Sequence, residues 1–396
     1  MRRRVAVVAT EPIDDRQVGS GWAERHWSVL HALRNAHDCA VFHVGPRGGP
    51  LTSGSRTDTP TFSIVLPDSL NDRRSRIMRA ATGGSRRASW VAWQRMLLTS
   101  IEQWQPDVVV CLSWLPLLAT TAFAALPARF PTVAFVEEDI SRHDELRATS
   151  VLGRALQRAE LRSWRAAART AACVVVISPR EVPWARLRLP GTPVLVVPHC
   201  VDVAYWATAS DAHAPKAREV LVIGQMISDR NAFGLRNIAT ALARRADPPL
   251  LRVVSSSGFS SALLETPGPL AFEDGAVLDP RPLYQAAIAC LVPSFEVSGA
   301  KTTVLQGWAS GCPVVTTPAA ARSVGATNEV DVLVGRDPHE IAESLERICS
   351  DSDLRARLIR NGRRRLEARH TQESVSTAVA HAVDLALAPV TARKDV

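Results

Sequence analysis

Lysine is almost missing from this chain: of its 47 basic residues only Lys216, Lys301 and Lys394 are lysine. The formal charge of +8 is therefore an arginine charge. It reads mainly as a coding bias, with a basic surface for small acidic molecules or anionic lipid heads as the functional alternative. No zinc-finger spacing, aromatic RNA-binding signature or basic zipper accompanies it, so no nucleic acid is expected as a partner. Paired cysteines are missing too. Cys39, Cys111, Cys173, Cys200, Cys290, Cys312 and Cys349 are scattered without a C-x-x-C, which reads as buried free thiols in a reducing compartment. No apolar run approaches the length of a membrane span. The run after Met1-Arg-Arg-Arg4 is too short for a signal-peptide core and reads as a first strand. A cytoplasmic protein is expected, with peripheral contact to the inner face of a membrane through the Arg-rich stretch 68–87 as the alternative. His-x-x-x-His spacing is absent, and Asp351-Ser-Asp353 reads as a helix N-cap, so no metal is expected.

What is there is an alternation. A chain of 396 residues is long enough for two or three domains. Short apolar strands at 4–10, 37–44, 106–112, 131–136, 172–177 and 193–198 alternate with helical patterns, among them Trp22–Ala36 and Trp90–Trp104. A polar, irregular tract follows. A second series then runs through 219–224, 250–254, 276–278, 289–292, 313–315 and 332–334, and ends in helices. Buried apolar strands separated by helices imply α/β sheets covered on both faces. The expected division is residues 1–202, a linker at 203–218, a second domain at 219–372, and a terminal helix and tail at 373–396 returning to the first domain.

The stretch from Leu291 to Val315 reads as strand, loop, helix, turn, strand. Ser298-Gly299 makes the tight loop, Val304, Leu305 and Trp308 form an apolar helix face, and Ser310-Gly311 closes the helix. A loop at the carboxyl end of a strand and the N-terminus of a helix gathers free N–H groups and the positive end of the helix dipole. An anionic ligand is expected there.

Val297-Ser-Gly-Ala-Lys-Thr-Thr-Val-Leu-Gln-Gly-Trp-Ala-Ser-Gly-Cys-Pro-Val-Val315 resembles the donor-binding signature of glycosyltransferase family four. Gly19-Ser-Gly21 with Arg25 and His26 is similar to the family's first loop and helix. Ser178 with Pro198-His-Cys-Val-Asp202, Val222-Ile-Gly-Gln-Met226 with Asn231, and Asp279-Pro-Arg-Pro-Leu-Tyr284 resemble further segments in order and spacing. The resemblance covers nearly the whole chain. It implies the GT-B fold: α/β, two Rossmann-like doubly wound domains facing a cleft.

The resemblance also implies a transferase moving a hexosyl unit from a nucleotide-diphosphate sugar to a hydroxyl acceptor. The outcome would be retaining, metal-independent and without any cofactor beyond the sugar nucleotide itself. The acceptor would be a glycan, a lipid carrier or a secondary metabolite. Amides of Gly299, Ala300, Lys301 and Thr302 would hold the diphosphate, and the Lys301 and Arg230 side chains would stabilise its leaving charge. Gly19, Ser20, Gly21, Gly224, Asn231, Glu296, Ser298, Thr303 and Gln306 complete the donor side. His26 is the remaining catalytic candidate, and Glu138, Asp139 and His143 face the acceptor. Departures stand beside the matches. Gln306 occupies the place of a ribose-binding Glu, Ser298 that of its acidic partner, Thr303 that of a Lys, and His199-Cys200 that of Asn-Gly. They motivate the alternative of a catalytically degenerate GT-B protein that binds a sugar nucleotide or a partner.

Overall fold

The structure is a computed structural model. It describes residues 2–9, 21–45, 59–65, 86–112, 126–127, 129–136, 165, 168–207, 218–226, 229–256, 258–275, 277, 279–295 and 299–389. They fall into two compact units. One comprises Met1–Gln17, Arg25–Val197 and Val375–Val396; the other comprises Val18–Glu24 and Pro198–Ser374.

The first unit is built on β1 (Arg4–Ala9), β2 (Asp38–Gly45), β3 (Thr61–Val65), β4 (Val108–Cys111), β5 (Thr132–Val136), β6 (Cys173–Val176) and β7 (Val194–Val196), in the order β3-β2-β1-β4-β5-β6-β7. Neighbouring strands are parallel; Val7 of β1 lies opposite Val41 of β2 on one side and Val110 of β4 on the other. Helices Gly21–Ala36, which groups with this unit from Arg25 onward, Arg86–Trp104 and Val182–Arg188 belong to the connections. Val5 to Ala9 are entirely buried, as a central parallel strand covered on both faces must be. The last helix, Gln372–Leu387, groups with this unit from Val375 onward.

The second unit repeats the plan. Its strands are β8 (Glu219–Ile223), β9 (Leu250–Ser255), β10 (Leu270–Asp274), β11 (Ala289–Val292), β12 (Val314–Thr316) and β13 (Leu333–Val334), in the order β10-β9-β8-β11-β12-β13. The direction of winding reverses between β8 and β11. In open α/β sheets the ligand crevice lies outside the carboxyl ends of such a strand pair. Helices Asp229–Leu242, Thr302–Ala309 and Pro338–Ser350 pack around this sheet, followed by Ser352–Arg369. Trp308 is buried, and its indole N–H donates to the Asp331 carbonyl at 2.9 Å. An added Cβ on Gly362 would lie 2.3 Å from the Trp308 ring, so glycine there permits the close approach of two helices.

Three expectations change. β3, absent from the sequence reading, and β10, displaced from its expected place at 276–278, are both edge strands. β10 is only half-buried to exposed along its length, so it lacks the apolar run that marks a central strand. Val277 lies outside any strand, and residues 276 and 278 lie outside the described ones. The expected linker at 203–218 also begins as structure. Val203–Ala207 is a helix, and buried Trp206 stands edge-on to Tyr284 with ring centroids 5.6 Å apart. Residues 208–217 lie outside the described ones. Asp351 is an N-cap as read, accepting from the Leu354 N–H at 2.8 Å.

Candidate active site

The loops after β8, β11 and β12 are cross-braced. Gly224 turns the chain out of β8 with φ of 142°, a conformation open in practice only to glycine. Buried Ser294, just beyond β11, donates its hydroxyl to Asn231 Oδ1 at 2.6 Å, and Asn231 Nδ2 donates to the Gln225 carbonyl at 3.0 Å. The Ser294 carbonyl in turn accepts from the Thr317 hydroxyl. Buried polar groups that satisfy one another hold a loop in one conformation. Asn231, expected to meet the ligand, thus has both amide atoms engaged as a brace.

The 302–309 helix starts from this frame. Gly299 adopts φ of 62°, in the left-handed region. Lys301 is the N-cap residue and makes no side-chain cap. Thr302 and Thr303 open the helix. As first-turn residues they lack an intrahelical carbonyl for their N–H groups, and the positive end of the dipole adds to them. One amide of the expected cradle is removed from it: the Lys301 N–H donates to Ser323 Oγ at 3.1 Å. Ala300 packs against the apolar core, and the Lys301, Thr302 and Thr303 side chains are half-buried at the opening. The helix head, with a lysine side chain beside it, suits an anion of phosphate type.

One turn further lies a polar group that the sequence reading only half anticipated. Gln306 Oε1 accepts from the Tyr284 hydroxyl at 3.1 Å. Tyr284 is buried, and that burial holds its phenol well above the usual range, so it remains a donor. Gln306 also hydrogen-bonds to the side chain of Glu24, which belongs to the same unit. Burial raises the Glu24 carboxyl from its ordinary 4.5 to about 7, against the opposing hydrogen bond from Gln306. Glu24 escaped the sequence reading because an acidic residue in a first helical turn is the ordinary complement to a helix dipole. Ser323, Ser294 and Thr317 escaped it because nothing in their local sequence marks a brace.

The other candidates are placed as follows. Gly21 opens the helix Gly21–Ala36. His26 is buried within the first unit. Arg230 lies in the first turn of the helix Asp229–Leu242. His199, from the departure at 198–202, is buried, and its carbonyl lies 2.8 Å from His370 Nδ1. Gly19, Ser20, Glu138, Asp139, His143, Glu296 and Ser298 lie outside the described residues.

Residues 217–351 match the family model described as Glycosyl transferases group 1. This stretch is similar to the group 1 glycosyl transferases. The matched stretch contains the braced loops, the head of the 302–309 helix and Gln306. No curated protein matches the chain in sequence. Among solved structures, sucrose-phosphate synthase from Thermosynechococcus elongatus superposes with a TM-score of 0.74 at 16% identity, covering 97% of this chain and 98% of that one. HepE from Anabaena, in complex with UDP and glucose, gives 0.68 at 13%, covering 97% and 100%. A glycosyltransferase from Rickettsia africae gives 0.65 at 12%, covering 97% and 98%. The fold is that of the GT-B glycosyltransferases over nearly the full length.

Proposed function

We propose that the chain transfers a hexosyl unit from a nucleotide-diphosphate sugar to a hydroxyl acceptor, retaining anomeric configuration and needing no metal. One observation carries this reading: the 302–309 helix, inside the matched stretch, presents its N-terminus and Lys301 at the switch point of a parallel sheet. A diphosphate bound there gains charge as it leaves, and the helix head and ammonium stabilise that charge more than they stabilise the ground state. The bond from the sugar's anomeric carbon to the diphosphate oxygen breaks, and the acceptor oxygen bonds to the same carbon. The acceptor proton passes to the departing phosphate oxygen. HepE, solved in complex with UDP-glucose, supports a donor of this class.

The test is release of nucleoside diphosphate from UDP- and GDP-hexoses, in the presence of chelator, with sugar acceptors. Lys301→Ala is expected to lower kcat by about tenfold or more, the worth of one charge-assisted contact to the leaving group. Neither binding nor turnover across the donor panel sinks the proposal. The second reading, a binding protein without catalysis, is favoured by Gln306, whose oxygen is already engaged by Tyr284. Donor binding without any release of diphosphate would establish it.

A further inference from the structure

We propose that Glu24 is a ligand-binding residue: its carboxylate, held by Gln306, accepts hydrogen bonds from the vicinal hydroxyls of a nucleoside diphosphate. This rests on the proposed function, which puts the diphosphate at the head of the 302–309 helix. Gln306 follows Thr303 by three residues and Thr302 by four, so it shares their face about 6 Å along the helix axis. A ribose is joined directly to the phosphate, and its hydroxyls fall at that reach.

The hydrogen bonds decide which group there can accept. The Gln306 oxygen receives the Tyr284 hydroxyl, and a buried phenol has no alternative but to donate. The NH2 end of Gln306 is then the end that serves a carboxylate, since an ionised Glu can only accept. Gln306 is thus a positioning residue, and the acceptor beside it is Glu24. Glu24 Oε2 is buried and meets no hydrogen-bond partner among the described residues. A buried carboxylate oxygen left bare is costly, and a donor hydroxyl supplied by a ligand removes that cost. The chemistry points to hydroxyls rather than to a second anion, because a carboxylate repels phosphate. The raised pKa fits the same picture, since a carboxyl missing a donor is reluctant to ionise.

Full-length protein is titrated calorimetrically at pH 8 with UDP, GDP and ADP, with the 2′-deoxy analogue of the tightest binder, and with inorganic pyrophosphate. Wild type is expected to prefer the ribonucleotide to its 2′-deoxy analogue. Glu24→Gln is expected to weaken the ribonucleotide by about tenfold or more, as for loss of a hydrogen bond to a charged group. It should abolish the ribose preference and leave pyrophosphate unchanged. Gln306→Ala, which removes only the support, should reduce the ribose preference while sparing pyrophosphate. An unchanged ribose preference in Glu24→Gln overturns the inference and leaves the proposed function standing. Equal weakening of pyrophosphate and nucleotide also overturns it, since that is the mark of a structural role. Absence of binding by wild type to every nucleoside diphosphate overturns the proposed function and this inference together.

Discussion

Replacing Glu24 by glutamine is expected to stabilise the protein at alkaline pH and not at acid pH. The carboxyl is raised from its ordinary 4.5 to about 7 by burial, with the Gln306 hydrogen bond opposing. A carboxyl whose folded-state pKa exceeds its unfolded-state pKa favours folding fully below about 4.5. That contribution is lost as pH rises through about 7, because the folded state must then hold a poorly solvated charge. A shift of this size corresponds to about 3 kcal/mol at 1.36 kcal/mol per unit. The groups gathered around Tyr284 do not blur the window. Tyr284, Cys290 and Cys312 are all raised by burial and stay protonated throughout it. An amide at position 24 never ionises and keeps a hydrogen bond to Gln306. The stability difference between Glu24→Gln and wild type should therefore be small at pH 5 and approach about 3 kcal/mol by pH 8.5. For a unit of this size that is about 6–12 °C in Tm. Thermal unfolding followed by tryptophan fluorescence reports it, since Trp206 and Trp308 are both buried in the second unit. An offset that does not change with pH, or a wild type more stable than the variant at pH 8.5, refutes the reasoning. The same substitution is expected to weaken nucleotide binding, so stability and function would move in opposite directions at one residue.

Gly362→Ala should destabilise by about 1–3 kcal/mol in urea unfolding, because overpacking against the buried Trp308 ring outweighs the helix propensity gained. Asp331→Asn should cost about 3 kcal/mol in the same assay. Asp331 is buried, pairs with Arg365 and accepts the Thr327 N–H at 2.8 Å, so its loss leaves the guanidinium without its counter-charge.

The six free cysteines buried in the two units illustrate a reading that needs no tertiary knowledge. A thiol within an apolar strand run, such as Cys111 or Cys290, has nowhere to go but the interior, and burial pushes Cys290 up to about 12. Central strands were legible for the same reason, since a continuous apolar run has one use in a covered parallel sheet. The edge strands β3 and β10 were not, because a strand paired on one side needs no such run. Trp206 was hidden as well. It stands at the edge of a polar tract that begins just after it, and the distant Tyr284 ring reveals why it is buried.

Local chemistry in the sequence determined the helix head proposed as an anion site: glycine, lysine and helix are contiguous from Gly299 to Ala309, so their geometry follows from short-range rules. The ordering of strands and the switch point between β8 and β11 needed the folded sheet. So did the loss of the Lys301 amide to Ser323 and the engagement of Gln306 by Tyr284. Each joins residues about twenty positions apart. Glu24 and Gln306 stand far further apart in the chain. No periodicity or spacing can report such a meeting, because chain folding alone brings the two side chains within hydrogen-bonding distance.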